Sequence, residues 1–373
     1  MALSKVDLAN QVENQLPQNL VANNLPFRNI IINGDMSIAQ RGTSQASITS
    51  SGYYTVDRIE TVCSLGTWTQ SQSTDVPTGQ GFAKSLKMEC TTANASPAVA
   101  ETIRVRQSIE GQNLQYLKKG TANAESTTLS FWVKSNKTGT YIAELFDEDN
   151  ARQISKSYTI NLADTWEKKT LTYAGDTSGT LDNDNGASLV FTFWLGTGTQ
   201  FSSGTLATSW EAQTNANRAV GQVNLADSTS NYINITGVQL EAGTTASDFE
   251  FLPYDVNLNR CLRYFVTFND SFYPTASGNQ SPIGMGFYNN ATTGIVCVNT
   301  KVPMRAYPSA SHSGASDFDS EPYDDIPTAI SIYSQGSSYV PMLTVTTPSR
   351  TTGDAYCLVM DTVGGYLHLS SEL

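Results

Sequence analysis

Histidine and charge are scarce in this 373-residue chain: 15% of its residues are charged, and it contains two histidines. Acid–base and nucleophilic catalysis most often depend on a positioned histidine, and transition-metal sites need clusters of His or Cys ligands. His312 falls in a Ser-His-Ser-Gly loop, and His368 falls at an outward position of a final strand pattern. The motifs of serine hydrolases, zinc peptidases, P-loop enzymes and dinucleotide-binding folds are also missing. We therefore expect a protein without enzymatic activity and without an organic cofactor.

Concentrated basic charge and long apolar runs are missing as well. The chain has 22 Lys and Arg against 34 Asp and Glu, a formal net charge of −12, and its basic residues are scattered. Nucleic-acid binding needs a concentrated basic surface, so we expect no nucleic-acid partner. No run of about 18 apolar residues occurs, and the N-terminus lacks the apolar core of a signal peptide. We expect no membrane insertion.

Cysteine usage excludes a framework held by disulfides. The five cysteines are an odd number, are widely spaced and include no Cys-x-x-Cys pair. We interpret them as reduced, mostly buried thiols that pack as small apolar groups. This usage is typical of a protein that folds in a reducing cytoplasm.

Aromatic and small polar residues dominate what is present. The chain contains 17 Tyr, 14 Phe and 5 Trp, and Ser, Thr, Asn and Gly crowd the connections between apolar runs. Segments 128–134, 188–195 and 232–241 alternate or run apolar over the length of a strand and end at turn residues. Such runs are the pattern of a sandwich or jelly roll. The sequence predicts an all-β protein, with a jelly-roll β-sandwich followed by a smaller C-terminal β-sandwich.

The chain divides into three predicted regions. Residues 1–26 scatter apolar residues among Asn and Gln, with prolines interrupting any helical stripe. This pattern predicts a short extended N-terminal anchor, which is either disordered or ordered by docking on a partner. We assign residues 27–253 to a jelly-roll domain of carbohydrate-binding type and residues 254–373 to a small C-terminal β domain.

Acidic loop residues raise the question of a metal site. Asp182 and Asp184 lie in Asp-Asn-Asp-Asn-Gly, and Ca²⁺ takes roughly 6–8 oxygen ligands from loops of this kind. The distal Glu of a calcium loop is missing, and Asx-rich turns also form without metal. The sequence therefore leaves open either a structural calcium ion at Asp182 and Asp184 or a plain turn. The same carboxylates could serve glycan hydrolysis, which uses carboxylate pairs, but they lie in turn sequences.

Tryptophans are the candidates for glycan contact. Trp68 and Trp210 lie between polar neighbours, so we expect both to be exposed and able to stack on a sugar ring. The alternative is that each is a partly buried loop anchor or a subunit contact. Trp132 and Trp194 lie in core-like runs and are predicted to be packing residues.

Two stretches resemble the first domain of a known family. Residues 33–42 read Asn-Gly-Asp-Met-Ser-Ile-Ala-Gln-Arg-Gly, and residues 54–58 read Tyr-Thr-Val-Asp-Arg. Together they resemble the "NGDFxIxQRG … YxxDRW" opening of many bacteriophage tail-fibre and receptor-binding proteins, with Ile59 in place of the Trp. Residues 235–250 contain Val-Gln-Leu-Glu-Ala-Gly and Phe-Glu. They are similar to the end of that family's jelly-roll domain, although Phe-Leu-Pro follows where the family has "xRP".

The C-terminal part and the N-terminus continue this resemblance. Residues 261–265, Cys-Leu-Arg-Tyr-Phe, resemble the "CQRYY" that opens the family's small C-terminal domain. Residues 304–308, Met-Arg-Ala-Tyr-Pro, resemble its "MRAxP" element, and residues 1–7 resemble its virion-anchoring start. The motifs occur in the family's order over nearly the whole chain.

The resemblance implies a structural protein of the phage particle, made in the host bacterial cytoplasm. It implies a tail or head fibre that is attached through residues 1–26 to other virion proteins and contacts the host surface, where glycan is a candidate receptor. It also implies a homotrimer. The alternatives are a capsid decoration or connector protein that makes only protein contacts, and a glycan-degrading tailspike.

Three charged residues fall inside the resembling stretches. Arg41, Asp57 and Arg58 flank predicted core strands, and buried charges need partners. We expect them to form a buried or half-buried network that holds the edges of the sandwich together, with ligand contact as the alternative.

Overall fold

The computed structural model describes residues 27–269, 281–323, 325–348, 350–362 and 364–373. The predicted anchor, residues 1–26, lies outside the described residues. The described chain forms two compact units. Unit 1 comprises residues 27–37, 43–55 and 59–252. Unit 2 comprises the described residues of 38–42, 56–58 and 253–373, so that two short segments from the first part of the chain belong to it.

Unit 1 is built almost wholly from strands, and the predicted all-β class is confirmed. Its strands are β1 (Ser44–Ile48), β2 (Gly52–Tyr53), β3 (Glu60–Cys63), β4 (Thr67–Ser73), β5 (Ser85–Thr92), β6 (Thr102–Glu110), β7 (Thr127–Ser135), β8 (Gly139–Asp147), β9 (Arg152–Ile160), β10 (Glu167–Tyr173), β11 (Ala187–Thr197), β12 (Glu211–Ala212) and β13 (Tyr232–Ala242). A short helix, α1 (Thr199–Ser202), follows β11. The 3-10 turns are Gly111–Asn113, Gln115–Leu117, Asn215–Asn217 and Leu225–Asp227.

These strands form two antiparallel sheets. Sheet I has the order β1-β4-β5-β13-β7-β10, and sheet II has the order β12-β9-β8-β11-β6-β3-β2. Rings from the two sheets meet in the core: Phe131 on β7 lies 4.7 Å from Phe193 on β11 and 5.0 Å from Tyr158 on β9. Since side chains alternate along a strand, the residues next to these point away from the core. Alternation and strand register therefore determine which residues lie on the two outer faces of the sandwich.

A long connection covers part of the outer face of sheet II. Between β11 and β13 the chain packs Phe201, Leu206 and Ala219 against Ile142 and Trp194. Ile142 and Trp194 lie directly opposite each other on β8 and β11. This outer face thus combines a small apolar cluster with the polar residues described below.

Unit 2 is a second β-sandwich, and this confirms the smaller C-terminal sandwich predicted from the sequence. It begins with α2 (Tyr254–Leu262), which has Asp255 in its first turn and Arg260 in its last, complementary to the helix dipole. Its strands are β14 (Phe265–Asn269), β15 (Ser281–Asn290), β16 (Thr293–Val298), β17 (Ser309–His312), β18 (Phe318–Glu321), β19 (Ala329–Ile332), β20 (Met342–Thr346), β21 (Ala355–Met360) and β22 (Tyr366–Ser370).

Two sheets enclose the core of unit 2. Sheet III has the order β14-β22-β17, and sheet IV has the order β18-β21-β15-β16-β20-β19. Phe268 and Leu367 of sheet III share one buried apolar cluster with Val296, Leu343 and Tyr356 of sheet IV.

The cysteines are all free thiols. Cys63, Cys90 and Cys261 are buried, as predicted for most of them, whereas Cys297 is exposed. Burial raises the pKa of the Cys63 thiol to about 11, which keeps it protonated and weakly reactive. In the part of the chain that the structure describes, no helix is long and apolar enough to cross a membrane.

Candidate functional sites

The outer face of sheet I carries half-buried tryptophans beside charged side chains. We call this surface the tryptophan face; it consists of Trp132, Trp166, Lys134, Lys168 and Asp75. Trp132 lies on β7 directly opposite Lys168 on β10. Lys134 follows two residues later on the same side of β7. The side chain of Asp75 accepts hydrogen bonds from Lys134 Nζ at 2.8 Å and Trp166 Nε1 at 3.0 Å. Two indole rings are thereby set beside an ion pair.

The ion pair of the tryptophan face is available to solvent. The Asp75 side chain is 43% exposed and that of Lys134 is 18% exposed. Partial burial opposes ionisation of Asp75, but the hydrogen bonds from Lys134 and Trp166 outweigh it and lower the pKa of the carboxyl group. Asp75 therefore remains an acceptor for hydroxyl groups over the whole neutral range.

The sequence predicts that Trp132 packs in the core, and this is wrong: the residue is half-buried and lies on the outer face of sheet I. Its chain neighbours Phe131 and Val133 are both fully buried. Because alternate residues of a strand face opposite sides, burial of these neighbours turns Trp132 outwards. The alternation in Phe-Trp-Val was the signal that could have identified it.

The outer face of sheet II carries what we call the arginine cluster (Arg104, Arg106, Arg218, Glu60 and Glu144). Register places Glu60 directly opposite Arg106, and Arg106 Nε donates to Glu60 Oε2 at 2.7 Å. Arg218, from the covering connection, donates to both oxygens of Glu144, at 2.6 and 3.0 Å. Bidentate pairs of this kind are the strong form of arginine–carboxylate contact.

Glu144 is the buried acceptor at the centre of this cluster. It is 0% exposed, and Trp194 Nε1 also donates to its Oε2 at 3.0 Å. Trp194 was predicted to pack in the interior, and it is fully buried. Its ring lies on the outer face of sheet II, beneath the guanidinium groups of Arg104 at 4.6 Å and Arg218 at 5.5 Å.

Trp68, a predicted glycan contact, is not exposed: it is 0% accessible, and its indole N–H donates to the carbonyl of Leu65 at 2.7 Å. Its strand neighbours Thr67 and Thr69 are polar because they face outwards, while Trp68 and Gln70 face the core. The expected exposure was therefore wrong, since the polarity of sequence neighbours in a strand describes the opposite face.

Trp210, the other predicted glycan contact, is half-buried. Its indole N–H donates to the carbonyl of Ala174 at 2.7 Å, and Lys119 Nζ lies 5.1 Å from its ring centre. Both the polar edge and the π face of this indole are thus engaged within unit 1. This arrangement matches the loop anchor that the sequence left open.

Asp182 and Asp184 lie in exposed loop positions. The carboxylate of Asp184 accepts the N–H of Gly186 at 2.8 Å, as in a plain Asx turn. Among the described residues no group of three or more His, Cys, Asp or Glu side chains is placed to share a metal ion. At Asp184 the structure matches the plain turn, one of the two alternatives that the sequence leaves open.

A lysine ammonium occupies the neighbouring acidic region. Lys119 Nζ donates to the carboxylate of Asp147, lies 3.1 Å from Asp176 Oδ2, and donates to the carbonyls of Ser178 at 3.2 Å and Gly179 at 2.9 Å. Asp147 is completely buried. Arg152 Nε also lies 2.7 Å from Asp176 Oδ2. Two internal cations therefore balance the two carboxylates, which leaves no net negative charge on this group for a metal ion.

Arg41, Asp57 and Arg58 are brought together inside unit 2, where they form a buried charge network with Glu372. Asp57 is 1% exposed and Arg58 is 0% exposed. Arg41 NH2 donates to Glu372 Oε1 at 3.1 Å, and Arg58 donates to the other oxygen of Glu372. Arg41 NH1 lies 3.9 Å from Asp57 Oδ1. The sequence predicts that this network holds the edges of the sandwich together. Residues 38–42 and 56–58 belong to unit 2, so the network lies within unit 2 and does not join the edges of the first sandwich.

Aromatic rings and an amide complete this network. The guanidinium groups of Arg41 and Arg58 stack at 3.5 Å on Phe265 and 3.4 Å on Tyr264, respectively. Gln40 N–H donates to Asp57 Oδ1 at 2.9 Å. Burial raises the pKa of Asp57 to about 6, against the opposing effects of Arg41 and Gln40.

Sheet IV presents a row of sulfur-containing side chains. Register places Cys357, Met285, Cys297 and Met342 opposite one another on adjacent strands. Met285 is 71% exposed, and Phe287 on the same strand is 48% exposed. The row ends at Glu321, which lies opposite Cys357 on the neighbouring strand.

No family model matches the chain, and no curated protein matches it. Among solved structures it is similar to the enzymatically active domain of bacteriophage CBA120 tailspike protein 4, at 16% identity over 58% of this chain and 22% of that chain, with a TM-score of 0.29. It is also similar to the C-terminal family 22 carbohydrate-binding module of Clostridium thermocellum Xyn10B, at 13% identity over 55% of this chain and 98% of that one, with a TM-score of 0.29.

A third similar structure is the family 11 carbohydrate-binding module of Clostridium thermocellum, in complex with a β-1,3-1,4-mixed-linked tetrasaccharide. The match has 11% identity over 55% of this chain and 98% of that chain, with a TM-score of 0.27. The chain spans less than a quarter of the tailspike. With identities and TM-scores this low, no property of these proteins is carried over to this chain.

Proposed function

We propose that this chain is a non-enzymatic surface protein of a bacteriophage particle, a tail or head fibre whose unit 1 binds saccharides of the host surface. The phage assignment rests on the ordered motifs of the sequence, from residues 33–42 to residues 304–308. In this proposal residues 1–26 attach the chain to other virion proteins, and the fibre is a homotrimer.

The observation that carries saccharide binding is the tryptophan face. Sugar recognition combines an aromatic ring, which covers the apolar side of the pyranose, with a few fixed polar groups for its hydroxyls. Trp132 and Trp166 supply half-buried rings on the outer face of sheet I, and the Asp75–Lys134 pair supplies an acceptor and a donor 2.8 Å apart. The contacts of Trp166 and Lys134 with Asp75 fix this polar group before a ligand arrives, which lowers the entropic cost of binding.

A decoration or connector protein that makes only protein contacts is the second candidate. It is favoured by the exposed apolar surface around Met285 and Phe287 on sheet IV, because large exposed apolar patches mark protein contacts. In that case the full chain would associate with itself or with virion proteins through unit 2 and would retain no saccharide.

Binding of purified bacterial surface polysaccharides, followed by intrinsic tryptophan fluorescence, tests the proposal. We expect saturable binding by the full chain and at least about a fivefold loss in Trp166→Ala and Trp132→Ala, since stacking contacts are worth on the order of 1–3 kcal/mol. Trp210→Ala is the matched control, because this half-buried indole lies off the tryptophan face, and it should bind as the native chain does.

Loss of binding in all three variants, or in none, would contradict the assignment of the tryptophan face. Immunogold electron microscopy of phage particles with antibody against this chain tests the location separately. Gold at a fibre supports the proposal, gold on the capsid shell favours the decoration protein, and unlabelled particles overturn the virion assignment.

A further inference from the structure

The arginine cluster has one more cation than its carboxylates neutralise. Arg106 is paired with Glu60, and Arg218 is paired with Glu144. Arg104 forms neither a hydrogen bond nor an ion pair with any residue that the structure describes, and its Nε is a buried donor without an acceptor. The carboxylate of Glu148 acts on Arg106 and is not among the charges that act on Arg104. Arg104 is therefore the arginine of this cluster that lacks a carboxylate partner in the described part of the chain.

Strand register explains why Arg104 is left without an acceptor. Its direct neighbours across the sheet are Val62 on β3 and Trp194 on β11, and neither offers an oxygen. Both carboxylates lie in the adjacent row, where Glu60 faces Arg106 and Glu144 is held by Arg218. The side chain of Arg104 instead stacks on Trp194, 4.6 Å from the ring centre.

This environment makes the charge of Arg104 costly. Burial, followed by the nearby Arg218, lowers the pKa of Arg104 to about 10. A guanidinium has five N–H donors, and leaving buried donors unpaired is unfavourable. The residue is nevertheless half-buried and not fully enclosed, so that part of it remains open to a ligand from solvent.

A ligand with an oxyanion would supply what the cluster lacks. Carboxylate and phosphate groups accept two parallel hydrogen bonds from a guanidinium fork and carry the compensating charge. A neutral hydroxyl supplies acceptors but no charge. Phe201, half-buried and 5.8 Å from the Arg104 guanidinium carbon, lies beside the position that such a ligand would occupy and offers an apolar surface to it.

We propose that Arg104 anchors an oxyanion-binding site on the outer face of sheet II, and that its ligand is the carboxylate or phosphate group of an acidic saccharide. The oxyanion specificity follows from the unpaired guanidinium and goes beyond the saccharide binding proposed for sheet I. The saccharide identity rests on the proposed function. The two sites lie on opposite faces of the sandwich, so each can fail while the other holds.

The test is a titration of the full-length chain, labelled with ¹⁵N-arginine, with glucuronate, glucose 6-phosphate, glucose and inorganic phosphate. We expect the two acidic sugars to shift the Arg104 Nε–H signal, identified by its absence in Arg104→Met, while glucose leaves it in place. Affinity should fall at least about tenfold in Arg104→Met. Arg104→Lys keeps the charge but loses the two parallel N–H donors of the guanidinium, so its affinity should lie between those of the native chain and Arg104→Met. Raising the salt concentration should weaken binding.

Arg152→Met is the matched control, because it removes the same charge from unit 1 but from a guanidinium outside the arginine cluster that already has a carboxylate, Asp176. We expect it to change affinity by less than about threefold. Equal losses in Arg104→Met and Arg152→Met, or no shift of the Arg104 signal by any acidic sugar, would overturn the site. If inorganic phosphate binds as tightly as the acidic sugars, the oxyanion site stands and the saccharide assignment is rejected, whatever the result for the tryptophan face.

Discussion

The buried charge network of unit 2 and the arginine cluster of unit 1 are built from the same side chains but differ in balance. In unit 2, Arg41 and Arg58 face Asp57 and Glu372, so the charges are equal in number. In unit 1, three arginines face Glu60 and Glu144. We call the unit 2 network closed because each of its arginines has a carboxylate partner, and it acts as structure. The arginine cluster is open because Arg104 has no carboxylate partner among the described residues, so that a ligand can supply one. Carboxylate pairing thereby separates a structural cluster from a binding cluster.

Opening the closed network should have the largest effect. Glu372 accepts from both Arg41 and Arg58, so Glu372→Gln leaves two buried guanidinium groups short of charge. We expect the free energy of unfolding to fall by about 3–5 kcal/mol, measured by chemical denaturation followed by circular dichroism. The control is Glu125→Gln, which breaks an exposed pair with Lys118 and should cost less than about 1 kcal/mol. Equal effects would show that burial does not matter here.

Unbalancing the arginine cluster further should come next. Glu144→Gln keeps an acceptor for the Trp194 indole but removes the charge that pairs with Arg218. We expect a loss of about 3 kcal/mol in the free energy of unfolding, by the same measurement. Restoration of stability in Glu144→Gln/Arg218→Met, where the unpaired cation is also removed, would attribute the loss to charge. Failure of the second substitution to restore stability would contradict this.

The free energy of unfolding should depend on pH through Asp57, which is buried in the charge network of unit 2. The pKa of Asp57 is raised in the fold, to about 6 from 3.8, so between these values the folded chain binds more protons than the unfolded chain. Stability therefore falls as pH rises through this window, by on the order of 2–3 kcal/mol for a shift of about two units. Unfolding midpoints of the native chain and of Asp57→Asn at pH 4 and pH 6 measure it. The variant should lack this fall, and an unchanged pH dependence would contradict the raised pKa.

Removing Arg104 should have the smallest effect on stability. Its pKa is lowered in the fold, so at neutral pH the charged side chain opposes folding, and Arg104→Met removes that penalty while retaining packing on Trp194. We expect the free energy of unfolding to stay within about 1 kcal/mol of the native value or to rise. A thermal melt without ligand measures this. A loss as large as that of Glu372→Gln would mean that Arg104 is structural, and the contrast between the two clusters would disappear.

The fold class can be predicted from the sequence because two-residue alternation and turn residues are local signals. The segments at 128–134, 188–195 and 232–241 all lie in strands. Trp68 and Trp132 follow the same alternation, but the polar neighbours of Trp68 indicate exposure and the apolar run around Trp132 indicates burial when alternation is ignored. Within a strand only every second residue shares a face, so both residues were assigned to the wrong side.

The charge clusters could be anticipated only in part. Arg41, Asp57 and Arg58 were singled out because buried charges need partners, but Glu372 lies more than 300 residues further along the chain. No local pattern connects positions so far apart. Arg104 and Arg106 alternate along one strand, and which of them finds a carboxylate depends on register with β3 and β11. Register is a tertiary property, so the unpaired arginine could not be recognised before the sheet was known.

A glycan array that carries matched neutral and acidic oligosaccharides, probed with the native chain and with Arg104→Met, distinguishes the two binding sites in one measurement. We expect the native chain to retain both classes and to prefer the acidic one. We expect Arg104→Met to lose this preference while keeping its binding to neutral glycans through the tryptophan face. Identical profiles for the two proteins, or no glycan retained by the native chain, would overturn the assignment of Arg104 as the anchor of acidic saccharides.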